Sequence, residues 1–203
     1  MELGISGKRA LVCASSKGLG LGCAEALAAE GVHVIINGRD AGTLEKTASD
    51  LRSRFDVEVV PVAADVATED GRAALLKEAA DLDILVNNAG GPPPGLWSDW
   101  DREDFIRALD ANMLAPIAMM KAVLPGFIEK GWGRVVNITS GSVKSPIPQL
   151  GLSNSARAGL TGYVAGTSRQ VAQNGVNIAL SWFLGLEAGM GVAGVALDRK
   201  SVV

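Results

Sequence analysis

The chain has 203 residues, 48% hydrophobic but only 4% aromatic, with 25 glycines and a net charge of −3. That length is enough for one sizeable core, and a slightly negative charge without long single-sign runs argues against an electrostatic nucleic-acid binder. A single histidine, His33, cannot build a metal site alone and reads as a strand residue, while Cys13 and Cys23 lack C-x-x-C spacing and suit buried thiols in a reducing compartment.

The N-terminal stretch MELGISGKRALVCAS runs directly into a glycine turn, and no apolar run reaches the ~20 residues of a membrane span. The expectation is a soluble, cytoplasmic protein with neither a membrane nor a nucleic-acid partner. Short apolar runs then alternate with helical patterns. Strands are expected at 9–14, 32–38, 57–65, 83–90, 133–140 and 175–181. Helices are expected at 18–31 with Gly31 as a stop, at 41–55, and at 68–79 behind a Thr68 cap. Two more are expected at 101–131, bent at Pro116, and at 152–173. The stretch 90–99, GGPPPGLWSD, reads as a loop. Regular alternation of strand and helix implies an α/β fold, a Rossmann-type doubly wound parallel sheet with helices on both faces. Residues 1–181 form one domain in this reading. Ligands of such sheets sit at the carboxyl ends of the strands, and the motifs below all fall there or on the adjoining helices.

CASSKGLG, residues 13–20, joins the first strand to the first helix. Glycines there let the backbone approach a pyrophosphate, whose charge the helix N-terminus favours. The second strand ends in Asn37, Gly38 and Arg39, where an acidic residue would accept hydrogen bonds from an adenosine ribose. Arg39, with Lys17 in the glycine turn, can instead neutralise a 2′-phosphate, which argues for NADP(H) over NAD; the alternative is that both are solvated surface charges.

With these residues in place the chain resembles the short-chain dehydrogenase/reductase family. Its T-G-x-x-x-G-x-G turn corresponds to Cys13, Ala14, Ser15, Ser16, Lys17, Gly18, Leu19 and Gly20, with Ala14 where the family has its first glycine. Asp65 and Val66 match the adenine-contacting pair, and NNAG, containing Asn88, Ala89 and Gly90, matches the turn beside the adenosine side of the cofactor. Asn112 matches the asparagine that bends the long helix and holds a water; Ser140 matches the serine that orients a substrate carbonyl. The resemblance implies hydride transfer between a nicotinamide and a carbonyl or alcohol carbon, of the 3-oxoacyl reductase kind, on a small-molecule carbonyl or acyl substrate. It also implies pairing into a dimer or tetramer through the helices at 101–131 and 152–173.

One departure concerns the chemistry. The family's proton donor is a tyrosine thirteen positions after the serine, followed four later by a lysine; here those positions hold Ser153 and Arg157. Tyr163, the only tyrosine, is followed four residues later by Thr167 and reads as a packing residue. A serine hydroxyl is a far weaker acid than a phenol, and arginine stays protonated. Arg157 could still bind a ribose hydroxyl, or a ligand carboxylate or phosphate in a forked geometry. Three readings stay open: an oxidoreductase with a weakened site, a cofactor-binding sensor or partner subunit without turnover, and an incomplete gene product. A second departure is the end of the chain. Ser181 and Trp182 stand where the family has Pro-Gly, and 182–203 reads as irregular, with no last strand. DRKSVV matches one reading frame of a common sequencing adapter, so an artefactual tail, a frameshift near residue 180 and a naturally short chain are the alternatives.

Overall fold

A computed structural model describes residues 3–181 of the chain. Its core is one parallel sheet of β1 (Arg9–Val12), β2 (His33–Gly38), β3 (Val59–Ala63), β4 (Ile84–Asn87), β5 (Gly133–Ile138) and β6 (Val176–Ser181), in the order β3-β2-β1-β4-β5-β6. The order reverses between β1 and β4, which opens a crevice at the carboxyl ends of the central strands. The irregular tail expected at 182–203, without a last strand, lies outside the described residues.

Helices α1 (Gly18–Ala29) and α2 (Ala41–Arg54) cover one face; α3 (Glu69–Glu78), α5 (Ala115–Lys130) and α6 (Gly151–Val171) cover the other, with α4 (Arg102–Leu109) leading into α5. Strand residues alternate between the two layers: Ala10 and Val12 pack with Ala24, Leu27 and Leu44, while Leu11 and Val135 pack with Met119, Phe127 and Leu160. Cys13 belongs to the α3–α5–α6 layer and Cys23 to the α1–α2 layer. Burial pushes the Cys13 thiol up to about 12 and the Cys23 thiol up to about 11. His33 opens β2, and its Nδ1 accepts the Glu58 amide at 3.0 Å.

Three expectations are modified by the structure. The long helical run, expected to bend at Pro116, holds a π-helical turn just ahead of it, at Asp110–Leu114 around Asn112, and Pro116 follows at the start of α5 within the same continuous run. The run Arg102–Lys130 is also long and apolar enough to cross a membrane by length and composition, contrary to the reading that no stretch is. Its apolar side lies on the sheet, with Met119, Met120, Val123, Leu124 and Phe127 buried. The strand expected at 9–14 stops at Val12, because Ala14 turns the chain with φ +46°.

Candidate functional site

The turn after β1 is built for close backbone approach. Gly18 has φ +61°, a conformation that suits glycine, and a Cβ on it would meet nothing within 4 Å. A Cβ on Gly20 would stand 2.3 Å from the Ala14 carbonyl oxygen, so α1 reaches this turn only with glycine there. Ser15 is buried, and its hydroxyl donates to the Val12 carbonyl at 2.7 Å; Ser16 is half-buried. Lys17 is the N-cap of α1 and makes no side-chain cap, which leaves the first amides of the helix without a partner of that kind. Lys17, Leu19 and Arg39 are exposed.

The neighbouring strand ends complete the rim. Asp65 Oδ1 accepts the Ala67 amide at 3.0 Å, and Val66 beside it is half-buried. Asn88 Nδ2 donates to the Ala14 carbonyl at 3.2 Å, tying the end of β4 to the glycine turn. Ala89 comes next, and a Cβ built on Gly90 or Gly91 meets nothing within 4 Å, so the crevice is open on this side. Glycine turn, uncapped helix amides and open crevice together form a cradle that fits a dinucleotide.

Beyond β5, Arg157 joins Asn112 to the end of the strand, with Ser140 one residue past Thr139 and Ser153 one turn before Arg157 on α6. Ser140 lies just past β5 and caps the short turn Gly141–Val143, its hydroxyl accepting the Ser142 amide at 3.2 Å. The hydroxyl proton therefore stays available for donation. Asn112 is buried within the π-helical turn, with Nδ2 donating to the Ala108 carbonyl at 3.3 Å. Ser153 lies in the first turn of α6 and is 6% exposed. Arg157, one turn on, donates from one terminal nitrogen to the Thr139 carbonyl at 3.0 Å and from the other to Asn112 Oδ1 at 3.2 Å. Burial lowers its pKa by penalising the charged form. Two of the guanidinium's five donors are thus committed to the protein itself, which leaves fewer for a ligand. Asn88, Asn112, Ile138 and Arg157 share a cleft of about 10 Å³, close to the size of one water. Tyr163 packs against the core beneath α6.

The burial of asparagines at the strand ends was not read from the sequence, where Asn37 was named only as a residue that is not acidic. Asn87 and Asn137 face each other in register, and Asn87 Nδ2 donates to Asn137 Oδ1 at 2.9 Å. Asn37 occupies the equivalent end of β2, 2% exposed. The available signal was an asparagine inside an otherwise apolar strand pattern, as in VIING, ILVN and VVNI.

The family model for short chain dehydrogenases matches residues 8–182. The chain belongs to the short-chain dehydrogenase/reductase family. Within that family it is 34% identical over 151 residues to an uncharacterized oxidoreductase of Bacillus subtilis, YvaG, an alignment covering 74% of this chain and 57% of that protein. It is 30% identical over 175 residues to the human inactive hydroxysteroid dehydrogenase-like protein 1, covering 84% of this chain and 53% of that one. The chain therefore spans little more than half the length of these two family members. Among solved structures it is similar to the L-sorbose reductase of Gluconobacter frateurii complexed with NADPH and L-sorbose, with a TM-score of 0.85 at 29% identity, covering 89% of this chain and 70% of that one.

Proposed function

We propose that this short-chain dehydrogenase/reductase binds NADP(H) along the crevice and reduces a small carbonyl compound, of 3-oxoacyl type, at a slowed rate. The observation that carries this reading is Arg157. Its guanidinium, anchored on Asn112 and Thr139, keeps a permanent positive charge beside Ser140 but has no proton to give. A bound nicotinamide supplies the hydride. Ser16, Gly18, Leu19 and Gly20 present backbone amides to the pyrophosphate, Ser15 shapes the turn behind them with its own amide held by the Asn37 carbonyl, and Lys17 and Arg39 stand for the 2′-phosphate. Asp65 and Val66 flank the adenine, with Asn88, Ala89 and Gly90 on the adenosine side.

Ser140 donates its free hydroxyl proton to the substrate oxygen and fixes its orientation. A water in the cleft lined by Asn112 and Arg157 gives its proton to the alkoxide left by hydride transfer, and the hydroxide it becomes is paired with the Arg157 cation and reprotonated from solvent; Ser153, no stronger an acid than that water, adds no better donor. Loss of a dedicated general acid typically slows such a step by ~10²–10⁴. Two free buried thiols suit a cytoplasmic setting. A second copy of the chain fits the groove of about 510 Å³ between α5 and α6, where Gly162 and Gly166 let helices approach and Leu124, Ile128 and Tyr163 offer apolar surface; this makes a dimer, or a tetramer built from it.

Titration with NADPH and with NADH, read by tryptophan fluorescence, tests the reading. Saturable binding that prefers NADPH is expected, followed by slow oxidation of NADPH with 3-oxoacyl thioesters or small ketones. Binding of neither cofactor would overturn it. Binding without turnover on any ketone would instead assign a sensor or partner subunit, a reading favoured by the burial of Ser153.

A further inference from the structure

Ala14 holds a left-handed backbone, φ +46°, the only positive φ at a non-glycine position among the described residues. A Cβ disfavours that conformation, and the surroundings must hold it in place. Two asparagines do so. Asn88 Nδ2 donates to the Ala14 carbonyl at 3.2 Å, and Asn37 Oδ1 accepts the Ala14 amide at 3.1 Å.

Asn37 is buried, and its whole side chain is spent on main-chain groups. Its Nδ2 donates to the carbonyls of Val62 at 3.1 Å and Ala64 at 2.9 Å, at the end of β3. Its own amide donates to Ser15 Oγ at 2.9 Å, and its carbonyl accepts the Ser15 amide at 2.7 Å. The ends of β1, β2 and β3 therefore meet on one side chain. An aspartate would set an oxygen against the Val62 and Ala64 carbonyls, so the position requires an amide with one acceptor and two donors.

We propose that Asn37 is a positioning residue for cofactor binding: by locking Ala14 left-handed it holds the turn from Ser15 to Gly20 in the shape that receives the pyrophosphate. The family's pattern has glycine at this place, a residue that adopts a left-handed backbone without a lock. The proposal rests on the cofactor reading above.

The experiment compares NADPH affinity, by fluorescence titration, and thermal midpoint in the native chain, N37A, A14G and A14G/N37A. No saturable binding by the native chain would overturn the cofactor reading itself. With native binding in place, N37A is expected to weaken NADPH affinity by about tenfold or more. A14G/N37A is expected to bind within about threefold of A14G, because a glycine at 14 adopts the turn without the lock. A double variant that folds but binds about tenfold more weakly than A14G would overturn the proposal, as would N37A binding like the native chain. Should N37A fail to fold, the pair A14G and A14G/N37A decides alone. A double variant that also fails to fold overturns the proposal, since Asn37 would then be needed whatever residue stands at 14.

Discussion

Arg157 on α6 and Asn112 in the π-helical turn are joined by a hydrogen bond of 3.2 Å across 45 residues of sequence, and the same guanidinium holds the Thr139 carbonyl. One side chain thus fastens a helix, a bulged turn and the end of β5. Truncation in R157A leaves the buried Asn112 oxygen without its charged donor and strips the packing of the arginine stem. A loss of about 2–4 kcal/mol in stability is expected from urea unfolding. R157K keeps the charge, but one ammonium cannot match both acceptors as the planar fork does, and a smaller loss is expected. An R157A variant as stable as the native chain would remove this bracing role.

Supplying the missing acid should restore chemistry. S153Y/R157K places a phenol and an ammonium one helical turn apart, and NADPH oxidation with a responsive ketone should rise by ~10² or more. Position 153 is 6% exposed, so the larger ring should cost about 1–3 kcal/mol of stability. A stable, cofactor-binding double variant with unchanged turnover would show that proton delivery does not limit the native rate.

The pH dependence comes from the same pair. Burial lowers the Arg157 pKa, so the folded chain binds the proton less tightly than the unfolded one. Near neutrality both states keep the guanidinium charged, and no slope in stability results. Only in strongly alkaline solution, as the folded chain releases its proton first, does this group make stability rise with pH. With Ser153 not titrating either, turnover should be flat between about pH 6 and 9. S153Y/R157K should acquire a basic limb. A native profile with a limb in that window would point to another titrating group.

Discrimination between cofactors should depend on the rim of the glycine turn. R39A is expected to weaken NADPH binding roughly 10- to 100-fold while leaving NADH affinity almost unchanged, the range for one charge-assisted contact. K17A should act in the same direction. Equal losses for both cofactors would place these side chains on the pyrophosphate rather than on a 2′-phosphate.

Strands, helices and glycine turn were legible because local pattern decides them. VIING and ILVN are short apolar runs ended by polar residues, and Thr68 caps α3 as its sequence indicates, its hydroxyl accepting the Gly71 amide at 3.1 Å. A bend in the long helix was expected at Pro116, the residue with the obvious backbone defect, and by resemblance at Asn112; a π-helical turn around Asn112 lies just ahead of Pro116. Inside that continuous run Pro116 has no N–H to give to the turn before it, and Arg157, far along the chain, braces the wide turn through Asn112. The same distance hid the site's main feature. Ser153 and Arg157 were visible as types at a spacing, but the partners of the guanidinium come from two other elements. Asn37 was noticed only as a residue that is not acidic, because its three main-chain partners meet it only when three strand ends lie side by side.

The placement of the two cysteines turns the fold into its own clock. A thiol reacts as its thiolate, and both thiols are buried with raised pKa, so a labelling reagent in neutral buffer marks only molecules that have opened. Cys13 lies in the layer of α3, α5 and α6, and Cys23 in the layer of α1 and α2. Labelling rates at the two positions therefore count separately how often each side of the sheet comes apart. Equal rates would mean that the molecule opens as one unit; unequal rates would name the layer that lets go first.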